Sequence, residues 1–120
     1  MAVNKKCFVI SCVIFPYDVM ILFNLQYPDL EKTLKRHLPI DVHNEIKAFD
    51  SDYDATTVLF STGQTCIHFR KKTAGVVAHE IFHAVHFILD RLGMKLTVES
   101  GEAYAYLIQY LTNEVYKIKK

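Results

Sequence analysis

Apolar and polar positions along the chain change their repeat several times, and each change marks an element. Residues 6–15 and 18–25 are β-branched and apolar runs interrupted at "PYD", which predicts two strands joined by a turn. In "YPDLEKTLKRHL" the repeat changes to Leu30, Leu34 and Leu38, a helical spacing with Pro28 near its start. "DVHNEIKAF" predicts a second short helix after Pro39, and "DSDYD" a polar loop. "ATTVLFS" and "QTCIHFRKK", with Thr62-Gly63 between them, predict a hairpin. "TAGVVAHEIFHAVHFILDRLG" predicts a long helix capped by Thr73 and stopped by Gly93. "MKLTV" is a short connector, and "SGEAYAYLIQYLTNEVYKIKK" a last helix with Ser100 as candidate cap. The predicted order β-β-α-(α)-β-β-α-α is an α+β arrangement, with a small, mostly antiparallel sheet, a buried long helix and a following C-terminal helix.

The long helix carries an unusual polar set. Counted from His79 at 100° per residue, His79, His83, His86 and Asp90 fall at about 0°, 40°, 340° and 20°, one stripe, with Glu80 at its edge near 100°. Ile81, Phe82, Val85, Ile88, Leu89 and Leu92 cover most of the remaining circumference. A helix so apolar should be buried, with its stripe facing either water or an internal site.

Composition narrows the classes. A chain of 120 residues, 51% apolar, suffices for one domain with one core, spanning residues 1–120. Fourteen Lys and Arg against thirteen Asp and Glu leave no charge block for nucleic acid or an anionic membrane. The terminal lysines (Lys5, Lys6, Lys117, Lys119, Lys120) read as solvated ends. Cys7, Cys12 and Cys66 are odd in number and lack CxxC spacing, so they read as reduced, buried thiols of a cytoplasmic protein. The apolar N-terminal run is broken by Pro16, Asp18 and Asn24 and has no small-residue cleavage site, which argues against a leader or a membrane span.

His79-Glu80-Ile81-Phe82-His83 is HExxH. Residues i and i+4 lie one above the other, about 6 Å apart along the axis, so two imidazoles can converge on one Zn²⁺ at about 2.0–2.1 Å. Glu80 would stand beside the metal and take a proton from a water that the zinc makes more acidic. A catalytic zinc site needs a third protein ligand. His86 is on the right face, but its backbone is about 10 Å along the axis from His79. Leu89 occupies the place of a third histidine in an HExxHxxGxxH motif. Glu99 and Glu102, beyond the turn at Gly93, remain as candidates.

HExxH, then residues 84–101, then Glu102 gives an HExxH-x18-E spacing. It resembles that of the gluzincins, the thermolysin- and aminopeptidase-like zinc peptidases. "HEIFHAV" resembles their metal-binding helix and "GEAYA" their second ligand segment, over about residues 57–110. The resemblance implies a minimal zincin-like domain that holds zinc with His79, His83 and Glu102. It implies Glu80 as general base and a peptide or protein as substrate. The format is also similar to small HExxH proteins of phages and prophages, which would put the protein in a host cytoplasm.

There are departures from the gluzincin pattern. Where thermolysin-like enzymes have an Asp four residues after the ligand Glu, this chain has Tyr106. Support for the zinc histidines would come from Tyr106, a backbone carbonyl or Asp90, with Asp90 also available to His86 at i,i+4. Only eighteen residues follow Glu102, so an oxyanion stabiliser would come from Tyr104, Tyr106 or Tyr110, each of which also reads as a packing tyrosine. In zincins an edge strand just before the metal helix binds extended peptide, and residues 64–71 are either its counterpart or an ordinary amphipathic strand of a hairpin, with His68 either in the cleft or solvated. The alternative to an enzyme is a catalytically silent, zinc-stabilised binding or regulatory module. A deformylase-like hydrolase would need a Cys ligand, and Cys66, thirteen residues before His79, lacks the glycine-rich context.

Overall fold

The computed structural model describes residues 2–4, 6–12, 15 and 17–118. The expected turn at Pro16, part of the first expected strand, and Lys5, Lys119 and Lys120 lie outside them. Among the described residues, five strands form one sheet: β1 (Ala2–Asn4), β2 (Cys7–Ile10), β3 (Val19–Phe23), β4 (Ala55–Leu59) and β5 (Thr65–Phe69). The helices are α1 (Tyr27–His37), α2 (Ala74–Arg91) and α3 (Gly101–Lys117), and a 3-10 segment spans Ile40–Phe49. The fold is α+β. None of these helices is long and apolar enough to cross a membrane.

The sheet order is β1-β2-β3-β5-β4. β1/β2, β2/β3 and β4/β5 pair antiparallel, while β3 and β5 pair in parallel, Val19 opposite Thr65 through Phe23 opposite Phe69. The parallel pair follows from the long excursion between β3 and β5, which carries α1, the 3-10 segment and β4. A two-residue hairpin turn joins only antiparallel neighbours.

Strand alternation sends side chains to two cores. Ile21, Phe23, Ile67 and Phe69 face α2 and α3, meeting Val77, Ile81, Val85 and Leu89 from α2 and Tyr104, Leu107, Leu111 and Val115 from α3. Leu22, Cys7 and Cys66 face the opposite side, against Leu30 and Leu34 of α1 and Val42, Ile46 and Phe49 of the 3-10 segment. β5 is therefore covered on both faces, and all five of its residues are buried. All three cysteines are free and buried, and burial pushes the Cys7 and Cys12 thiols up to about 11.

Local signals set the α2 boundaries. Thr73 Oγ1 accepts the Val76 N–H at its N-terminus, and Gly93 takes φ +84° just past its end. The expected cap of α3 differs. Ser100 makes no side-chain cap bond and instead donates to the Lys95 carbonyl (2.6 Å) while accepting the Thr97 N–H (2.9 Å). Its hydroxyl closes the connector 92–100 rather than the helix.

Candidate metal centre

The buried face of α2 is Val77, Glu80, Ile81, Ala84, Val85, Ile88 and Leu89. On the wheel these positions span about 100° to 280° from His79, so the histidine stripe points directly away from the core. Of the two environments open to the stripe, the structure selects the outward one. The expected burial of the apolar remainder holds for one side of α2 only: Phe82, and Leu92 just past the end of the helix, are exposed.

The stripe opens into a cleft of about 520 Å³ lined by residues 53–57, Gly75, Val76, His79, Glu80 and His83. His79 Nε2 and His83 Nε2 lie 3.2 Å apart, with rings 74° from coplanar. Two nitrogens at 2.0–2.1 Å from a tetrahedral ion stand about 3.3 Å from each other. The imidazole pair therefore has the spacing such an ion requires.

Glu80 is held differently from its neighbours. The His79 side chain is 68% exposed and that of Glu80 only 9%. Thr57 Oγ1 donates to Glu80 Oε1 over 2.6 Å, while Oε2 lies 3.8 Å from His79 Nε2. The carboxylate thus sits at the cleft floor, next to the imidazole pair.

The remaining expected residues are more dispersed. Glu99 and Glu102 are exposed, Glu99 in the connector and Glu102 on the first turn of α3, and neither lines the cleft. Among the described residues, no three His, Cys, Asp or Glu side chains are gathered where they could hold a metal ion. His86 is exposed, its ring 5.9 Å from that of Phe82 and 6.4 Å from that of Tyr104. Asp90 pairs with Lys95 (2.6 Å), whose hydrogen bond and charge hold its carboxyl below the usual range. Tyr104 donates to the Met94 carbonyl (2.9 Å) and Tyr110 to the Ser11 carbonyl (2.7 Å), while Tyr106 is 66% exposed.

Two expectations about the cleft are corrected. β5 has a neighbour on each side, so residues 64–71 present no free edge; the edge strand beside the histidines is β4. His68 is neither in the cleft nor solvated. It is buried on the α1 side and accepts the Leu25 N–H at Nε2 (3.1 Å). Thr57 went unrecognised as a site residue because a Thr in a β-branched run reads as an ordinary strand position. Only the seating of β4 against α2 brings its hydroxyl to Glu80.

Comparison of the chain with protein-family models, with curated proteins and with solved structures gives no match. The fold and the site define an α+β protein with an outward-facing, helix-borne histidine pair and an adjacent buried carboxylate.

Proposed function

We propose that the protein is a small zincin-like, zinc-dependent peptidase that hydrolyses peptide bonds of a peptide or protein substrate. His79, His83 and Glu102 are the metal ligands and Glu80 is the general base. The observation that carries this reading is the 3.2 Å Nε2–Nε2 separation of His79 and His83, with the Glu80 carboxylate 3.8 Å from His79. Zinc held there would supply Lewis acidity, polarising a scissile carbonyl and making a water more acidic. Glu80 accepts the proton of the attacking water at Oε2 and returns it to the departing amine nitrogen. The edge strand β4 presents main-chain groups along the cleft, suited to an extended peptide. Glu102 reaches the histidines by a rearrangement of the first turn of α3 on metal binding. The free, buried thiols suit a reducing compartment such as the cytoplasm, a host's cytoplasm if the chain is phage-encoded.

A second reading is a zinc-stabilised binding module without turnover, for which the histidine pair on an exposed face of α2 supplies the seat of the ion. Glu80→Ala separates the two. For a peptidase, the variant keeps zinc at the parent's stoichiometry and loses hydrolysis of a mixed peptide library. A parent that binds zinc and cleaves nothing in the library supports the binding module.

A further inference from the structure

We infer that Thr57 is the positioning residue for the Glu80 carboxylate, fixing which oxygen faces the reacting water; this rests on the peptidase reading of the site. Thr57 stands in the middle of β4 opposite Ile67, and Ile67 packs in the core shared with α2. Thr57 therefore projects toward α2. Its hydroxyl lies 2.6 Å from Glu80 Oε1 and 3.5 Å from the Glu80 carbonyl. A hydroxyl has one proton, and the shorter, charge-assisted contact takes it.

The consequence is a division of labour within one carboxylate. Oε1 is engaged by the strand, and Oε2 is left on the His79 side at 3.8 Å. A glutamate on a helix ordinarily turns its flexible side chain to solvent, yet Glu80 is only 7% exposed at the base of an open cleft. Removing the hydroxyl would leave Oε1 without this partner in a nearly closed place, and the side chain would swing outward. Misplacement by about 1 Å is enough to slow a proton transfer on the order of 100-fold. The hydrogen bonds of the Thr57 hydroxyl go to Glu80 and not to His79 or His83, so its effect is exerted through Glu80.

The test uses the full chain with Thr57→Val, which keeps shape and branching, and Thr57→Ser, which keeps the hydroxyl; Thr57→Ala replaces the valine variant if that one fails to fold. Crystal structures of the metal-free proteins and ¹³C relaxation of the Glu80 side chain report where the carboxylate rests. With zinc restored, kcat and KM are read on a peptide that the parent cleaves. Thr57→Val should show several Glu80 rotamers. Its kcat should fall roughly 10- to 100-fold, with KM and zinc stoichiometry unchanged. Thr57→Ser should return kcat to within about threefold of the parent. A Glu80 carboxylate that stays in place in Thr57→Val, or a kcat unchanged from the parent, overturns the inference. If the parent cleaves no peptide, the peptidase reading fails, and the Glu80 position in Thr57→Val alone decides whether Thr57 holds it.

Discussion

The backbone N–H of Leu25 donates to His68 Nε2 over 3.1 Å, tying the entry to α1 to the interior strand β5. An Nε2 that accepts must be unprotonated. Burial, with a smaller contribution from the charge of Arg70, lowers the His68 pKa to about 4. The unfolded chain, with histidine near its ordinary 6.5, therefore binds the proton first as pH falls. The stabilisation from neutral His68 is complete well above pH 6.5 and is lost as pH falls through 4, on the order of 3 kcal/mol in all. Unfolding free energies from urea titration of the parent should be lower at pH 4.5 than at pH 7.5, with about 2–3 kcal/mol of the difference due to His68. His68→Asn should be weaker at pH 7.5 and show a smaller drop.

Zinc should stabilise the fold, because the histidine pair is set by α2 only in the folded chain. Free zinc at about 100 times its dissociation constant adds about 2.7 kcal/mol, which for a chain of this size raises Tm on the order of 10 °C. A chelator should reverse the rise, and His83→Ala should abolish it. The same rise in His83→Ala would move the metal elsewhere. Thermal melts with and without zinc decide this.

The parts legible in the sequence are those whose signal is local. Thr73 and Gly93 bracket α2, and the spacing of His79 and His83 alone predicts that their rings meet. Leu30 and Leu34 likewise give the buried side of α1. The parallel pairing of β3 with β5 was hidden, since it depends on how about forty intervening residues fold back. His68 shows the same limit. Alternation puts it on one face of a strand with Cys66 and Arg70, but only α1 and its entry loop decide that this face is covered. The third ligand is read from spacing and a family resemblance, and no local signal in the chain decides between Glu99 and Glu102.

Two glycines should respond in opposite directions. A Cβ added at Gly75 or at Gly93 meets nothing within 4 Å, so neither is kept by crowding. Gly75 lies in the first turn of α2 with no φ constraint, and Gly75→Ala should stabilise by about 0.5–1 kcal/mol through helix propensity. Gly93 has φ +84°, and Gly93→Ala should destabilise by about 1–2 kcal/mol. Chemical denaturation at neutral pH measures both.

The third ligand divides the two functional readings. Glu102 is exposed on the first turn of α3, and Glu99 is exposed in the connector that Ser100 closes on Lys95. A third protein ligand at the histidine pair would need one of them to come across, and the proposed gluzincin-like reading takes Glu102. Zinc titration of Glu102→Ala should show affinity reduced at least about 100-fold, because a charged ligand is replaced by water, with Glu99→Ala within about threefold of the parent. The reverse order would assign the ligand to Glu99 and break the gluzincin spacing. Unchanged affinity in both would leave the ion on two imidazoles and solvent. That outcome counts against the peptidase reading, since a site with two protein ligands lacks the three-ligand frame of catalytic zinc.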